Sequence, residues 1–174
     1  MRLNVFFRLV FLTILATLIS CGGNSERTEV EDISIGNGNL TLGAKTVVGV
    51  EFSFDDYQVF NSADNIFLSV RLPNGVDFDA GSAEIQGAFG DEDIEPDVRV
   101  CDNGQTILIF DLDDNDLDRA SDPSGEADAK VNFSVVGEKS VSSANIEASA
   151  GKARPIISCS DNFLSQKVEG IKVF

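Results

Sequence analysis

The chain has 174 residues with 13 basic against 29 acidic side chains, a formal net charge of −16, no histidine, no tryptophan and a single tyrosine. So acidic a surface repels phosphate backbones and anionic headgroups, which argues against nucleic acid as a partner. Without histidine, the Ser-His-Asp and Cys-His nucleophile systems are excluded, and any enzyme built on this chain relies on carboxylates.

At the N-terminus, Arg2 and Arg8 lead into an apolar run from Leu9 to Ile19, closed by the small residue Ser20 and then Cys21. This is the layout of a secretory signal, and the run is too short to cross a ~30 Å hydrocarbon core, which takes ~20 helical residues. Leu18-Ile19-Ser20-Cys21 resembles the lipobox of bacterial lipoprotein precursors. The resemblance implies cleavage before Cys21, a thioether-linked diacylglyceryl group and an N-acyl chain on that cysteine, and a membrane contact made through lipid. Several acyl chains, each CH₂ contributing about 0.8 kcal/mol, hold a soluble domain firmly at a bilayer surface. Gly22 stands where the inner-membrane retention signal of enteric bacteria has aspartate, which favours the outer membrane of a bacterial cell envelope. The expected division is a signal peptide over 1–20, a lipidated flexible tether over 21–32, polar and without apolar periodicity, and a folded domain over 33–174.

Beyond the tether the apolar spacing is two. Val48, Val50, Phe52 and Phe54 alternate with Gly49, Glu51, Ser53 and Asp55, and Ile66, Leu68, Val70 and Leu72 alternate with Phe67, Ser69 and Arg71. The spacing predicts half-buried strands there, and again over Thr106 to Leu112, Val131 to Val135 and Ile146 to Ala150. Shorter apolar runs occur at Val76 to Phe78, Ala83 to Ile85, Val98 to Val100, Pro155 to Ile157 and Ile171 to Phe174. Pro73-Asn74-Gly75 and Asp102-Asn103-Gly104 carry turn chemistry. The second predicts a β-hairpin between Val98-Arg99-Val100 and the strand from Thr106, with Cys101 at its shoulder. No window sustains helical periodicity. About eight to ten short strands predict an all-β fold, a single antiparallel β-sandwich in which phenylalanines supply the aromatic core.

Besides Cys21 there are Cys101 and Cys159, an even pair in an oxidising compartment. A disulfide is the natural reading, against two buried free thiols or a two-cysteine metal site. Zinc fits poorly, since no histidine and no CxxC spacing completes a ligand set.

Asn65-Ile-Phe-Leu-Ser-Val-Arg-Leu-Pro-Asn-Gly-Val-Asp-Phe resembles the strand, Leu-Pro-x-Gly-Val turn and short strand of immunoglobulin-like conserved-repeat domains in bacterial surface proteins. Asp102 to Asp111 resembles the hairpin and following strand of cohesins. These resemblances imply an immunoglobulin-like sandwich and a recognition role.

One constellation stands out for chemistry: Asp111, Asp113, Asp114, Asn115, Asp116 and Asp118, with Asp122 close behind. Oxygen ligands at alternating positions of a turn suit Ca²⁺, which takes six to eight oxygens. Asp111, Asp113 and Asn115 resemble the start of an EF-hand loop, while Asp116 occupies the position of its glycine and Asp122 that of its bidentate glutamate. Asp111, Asp113, Asn115, Asp116 and Asp118 are the candidate ligands of a structural calcium ion, against the plain alternative of a solvated acidic loop. A second acidic segment, Asp91-Glu92-Asp93 to Asp97, would form an acidic rim with the first if the fold brings them together, suited to a basic partner. No cofactor is required. The expected function is a lipid-anchored, non-catalytic binding or adhesion module with a protein or glycan partner. The alternatives are a carbohydrate-binding or cohesin-like domain and a carboxylate-dependent hydrolase.

Overall fold

The structure is a computed structural model that describes residues 28–55, 59, 64–87, 90–117, 126–155, 159 and 163–174. Cys21, the tether up to residue 27, Asp118, Asp122 and the apolar run at 156–157 lie outside the described residues. Twelve strands are present among the described residues: β1 Glu29–Ile35, β2 Asn39–Leu40, β3 Lys45–Asp55, β4 Ile66–Leu72, β5 Val76–Phe78, β6 Glu84–Gly87, β7 Gly90–Asp93, β8 Asp97–Val100, β9 Thr106–Leu112, β10 Glu126–Gly137, β11 Val141–Gly151 and β12 Lys167–Val173. They form two six-stranded sheets. The first runs β1-β3-β10-β6-β7 with β5 also on β10, and the second β2-β12-β11-β4-β9-β8.

This is an immunoglobulin-like sandwich by topology. The path β1-β3-β10-β6 is the A-B-E-D sheet of that fold and β12-β11-β4 its G-F-C sheet. Strands β7, β8 and β9 fall between D and E in sequence, and β9 and β8 widen the second sheet beyond β4. Two expectations need correction. The strands number twelve rather than about eight to ten, and the sandwich is not wholly antiparallel, because β2 pairs parallel to β12 through Asn39 and Leu40. The extra strands are short or charged edge elements, which bury too few apolar residues to print a period of two. In β1 only Val30 and Ile33 are buried, and a register shift between Val30 and Asp32 makes their spacing three. Glu29 to Asp32, expected in the tether, therefore belong to the first strand. Likewise Asp91 to Asp93 are strand rather than loop, the exposed outer half of the β6–β7 hairpin.

The central strands follow the alternation. Along β3, Val48, Val50, Phe52 and Phe54 are fully buried while Glu51 faces water. Beside them in the same sheet, Phe133 on β10 meets Phe110 on β9 of the second sheet with ring centroids 5.9 Å apart, and Phe78 packs edge-on to Phe133 at 6.1 Å. Each such ring contributes roughly 1.5–3 kcal/mol by leaving water. At Asp102-Asn103-Gly104 the hairpin closes as expected, with Gly104 at a φ of 81° that side-chain-bearing residues avoid.

Strand β9 is buried on both faces. Its inward residues join the main core, whereas Ile107 and Ile109 point away from it and pack with Phe67, Cys101 and Cys159. The cover over this outer patch comes from the segment between β11 and β12. Cys159 is bonded to Cys101, with Cα atoms 5.6 Å apart and a sequence separation of 58. Phe163 lies over the Arg71 guanidinium at 5.0 Å, and Arg71 forms an ion pair with Glu147 that is mostly buried. At the end of the segment, Gln166 joins the two sheets. Its Oε1 accepts from the N–H of Val30 at 3.0 Å and of Ala150 at 2.9 Å, and its Nε2 donates to the carbonyls of Thr28 at 3.2 Å and Ala150 at 3.1 Å.

Candidate interaction surface

The β9–β10 turn begins where Asp111 ends the exposed side of β9. Its Oδ1 accepts from Asn65 Nδ2 at 2.7 Å and its Oδ2 from Arg154 at 3.4 Å. Arg154 also holds Asp97 at the start of β8, so one guanidinium bridges the two acidic segments. Asp113 then organises the turn. Its Oδ1 accepts from the backbone N–H groups of Asn115 at 2.7 Å and Asp116 at 3.3 Å, and Asp116 Oδ2 accepts from the N–H of Asp113 at 2.9 Å. This reciprocal side-chain-to-backbone arrangement is why aspartates recur here, since each satisfies amides that a tight turn leaves without partners. Leu117 anchors the turn by burying its side chain in the main core.

Asp116 has its carboxyl held above the ordinary carboxylate value. Partial burial is the largest cause; the hydrogen bond from Asp113 opposes it, and the negative charges of Asp113, Glu92 and Asp111 add to it. Glu92 on β7 thus lies near enough to the β9–β10 turn for its charge to act on Asp116. Asp116 therefore feels the charges of Asp111 and Asp113 from its own turn and of Glu92 from β7, and the exposed Asp91, Asp93 and Asp114 lie on the same two segments. On the adjacent outer face of the first sheet, like charges also sit opposite one another in register, Asp32 beside Glu51 and Glu84 beside Asp93. Such pairs oppose folding when no counter-ion is near.

Of the five candidate calcium ligands, Asp111, Asp113, Asn115 and Asp116 share this turn and Asp118 lies outside the described residues. The described carboxylates point into the turn's own amides and towards Arg154 and Asn65. Among the described residues no group of three or more histidine, cysteine, aspartate or glutamate side chains is arranged to hold a metal ion. Arg154 and Gln166 had no signature in the chain, because each acts on partners far away in sequence and neither sits in a motif.

No family model matches the chain, and no curated protein matches it either. Several solved structures are similar to it at low identity. The pilus backbone protein RrgB of Streptococcus pneumoniae has a TM-score of 0.47 at 12% identity, covering 74% of this chain and 32% of that one. A cohesin module from a family 33 glycoside hydrolase of Clostridium perfringens has 0.41 at 11%, covering 84% and 98%. AvmM, which catalyses macrocyclisation in alchivemycin A biosynthesis, has 0.45 at 10%, covering 84% and 89%. At these scores the likenesses carry no argument about function.

Proposed function

We propose that the protein is a lipid-anchored, non-catalytic binding module of the bacterial cell envelope that recognises a basic protein partner through its acidic rim. The observation that carries the reading is the acidic character of this corner, where the charges of Glu92, Asp111 and Asp113 all act on Asp116 and Arg154 ties Asp111 to Asp97. A rim of one sign steers an oppositely charged partner and suppresses acidic ones. The leader with its lipobox supports the anchor, and attachment at Cys21 would leave the rim free to meet partners at the membrane surface. A carbohydrate platform is less well supported, because Phe174 is the one mostly exposed aromatic ring among the described residues.

Two measurements test the two parts. Membrane fractionation of Cys21→Ser should move the protein out of the membrane fraction, and mass spectrometry should find acylated Cys21 at the mature N-terminus. An unmodified Cys21 or a retained signal segment would remove the anchor. For recognition, capture from the native envelope by the wild-type protein should enrich basic proteins, and Glu92→Lys with Asp114→Lys should lose them. Equal capture by wild type and the charge-reversed variant would reject the rim as the recognition surface.

A further inference from the structure

We infer that Asn74 is a site of spontaneous covalent modification, where the chain converts its own side-chain amide to aspartate and isoaspartate. The fold ranks the three Asn-Gly pairs of the sequence for this reaction in the order Asn74, Asn37, Asn103.

Asparagine is among the thermally labile residues. Before a glycine the route is open, because no Cβ on the next residue hinders the approach of its backbone nitrogen. That nitrogen gives up its proton and attacks the asparagine Cγ. A C–N bond forms, the bond from Cγ to the side-chain nitrogen breaks, and the side-chain nitrogen leaves with the proton as ammonia. Water then opens the five-membered imide at one of its two carbonyls, giving aspartate or, with the main chain rerouted through the former side-chain carbon, isoaspartate. One water enters, one ammonia departs, and nothing is oxidised or reduced. As sequence, Asn37-Gly38, Asn74-Gly75 and Asn103-Gly104 are equal for this chemistry. All three asparagines are exposed, so water reaches each of them.

What separates the three is how many hydrogen bonds hold the reacting groups. The asparagine side chain and the peptide plane between Asn and Gly must both turn before the nitrogen can meet Cγ. At Asn103 three bonds resist. The Gly104 N–H, the nucleophile itself, donates to the Cys101 carbonyl at 2.8 Å; Asn103 Oδ1 accepts from the Gln105 N–H at 3.0 Å, and Asn103 Nδ2 donates to Gln105 Oε1 at 2.8 Å. At Asn37 one bond resists, from the Asn39 N–H to Asn37 Oδ1 at 3.0 Å. At Asn74 none does among the described residues. Its side chain occupies the space that a Cβ on Gly104 would fill, a contact without a hydrogen bond. The turn there is closed from the Val76 N–H to the Pro73 carbonyl at 3.1 Å, which uses neither polar group of the peptide plane between Asn74 and Gly75. A solvent-exposed hydrogen bond favours the held arrangement by roughly a factor of two, the low end for a net bond. One bond therefore slows Asn37 about twofold relative to Asn74, and three slow Asn103 about tenfold.

Conversion at Asn74 bears on its neighbours. The isoaspartyl product carries an extra main-chain atom immediately before Gly75, a buried glycine at a φ of 95° whose carbonyl accepts from the N–H groups of Glu138 at 2.8 Å and Lys139 at 3.3 Å. The aspartyl product puts a new charge against the β8–β9 hairpin at Gly104. The site thus sits where the β4–β5, β8–β9 and β10–β11 turns meet.

Ageing the full chain in mildly alkaline buffer, then reducing it and mapping tryptic peptides, tests this. The three sites fall in separate peptides, Thr28 to Lys45, Leu72 to Arg99 and Val100 to Arg119. Deamidated forms, assigned by mass and by chromatographic separation of aspartyl from isoaspartyl peptides, should accumulate fastest at Asn74, about twofold slower at Asn37 and about tenfold slower at Asn103. Asn74→Gln, whose extra methylene disfavours ring closure, should leave its peptide unconverted while Asn37 and Asn103 keep their rates. In urea with reductant the three sites should converge on one rate, since the bonds that rank them are gone. Native Asn74 reacting no faster than Asn103 would overturn the inference. A reversed order would do the same, showing that N–H donation to Oδ1 activates Cγ instead of pinning it. A gap that persists in urea would also overturn it, by tracing the ranking to local sequence instead of the fold.

Discussion

Breaking the Cys101–Cys159 bond should destabilise the protein strongly, and the size can be worked from the chain. The bond closes a loop across a separation of 58 residues. In the loop-entropy treatment this removes about 14 cal/mol/K from the unfolded ensemble, or about 4 kcal/mol at 25 °C. For a folded unit of about 150 residues, each kcal/mol moves the melting temperature by roughly 3 °C, so the shift should be about 12 °C downward. A native-state effect adds to it. Cys159 is part of the cover over Ile107, Ile109 and Phe67, and without the bond this apolar patch is less well shielded from water. The assay is a thermal melt by circular dichroism of oxidised protein, of protein reduced with a phosphine, and of Cys101→Ala with Cys159→Ala. Reduction keeps the sulfur volume whereas the alanines remove it, so the reduced protein should melt above the double variant and well below the oxidised form. A reduced protein melting within about 3 °C of the oxidised one would refute the loop-entropy reasoning.

Two further outcomes concern the acidic turn. Asp116 has its folded-state carboxyl raised above the ordinary value of 3.8, so the native state binds its proton more tightly than the unfolded chain does; ionisation therefore costs native stability as pH rises through the carboxylate range, and the cost vanishes as pH falls below it. Asp116→Asn keeps an oxygen for the Asp113 N–H and removes the charge, so urea titration should show a gain of no more than about 1 kcal/mol at pH 7, after solvent screening, and none at pH 3. A loss at pH 7, or a gain that persists in acid, would contradict the assignment. If the turn takes up calcium, millimolar Ca²⁺ should raise the melting temperature by several degrees over chelator, about 2.7 kcal/mol at a hundredfold excess over Kd, and Asp113→Ala with Asn115→Ala should abolish the rise. Superimposable melts would mean that the aspartates serve only to shape the turn.

The sandwich was legible where one face of a strand is buried and the other wet. Strands β3 and β10 show the period of two because Val50 and Val131 lie in the core while neighbours such as Glu51 and Asn132 are on the other face. The hairpin before β9 was legible from its turn residues alone. Strands β1, β2 and β7 were not, because edge positions bury one or two side chains at most and carry charges that read as loop. In β9 the continuous apolar run marked a strand but not the second cover over Ile107 and Ile109, which depends on Cys159 arriving from far along the chain. The influence of Glu92 on Asp116 was foreseen only as a condition, since it depends on how two segments with a hairpin between them fold back towards each other. Gln166 left no trace, because its hydrogen-bond partners at Thr28 and Val30 lie at a separation of 136 residues or more.

That glutamine decides how the molecule bears load. Force drawing the chain away ahead of Thr28 meets β1 at its first residue, where the ladder to β3 starts with Glu29 opposite Ser53. Taken alone, that ladder would unzip one pair at a time from its outer end, the weakest way to load a sheet. Gln166 grips Thr28 and Val30 and is itself bonded on both sides of Ala150, in a strand flanked by β4 and β12. Tension entering at one margin of the first sheet is therefore passed at once to the middle of the second, and the two layers must yield together.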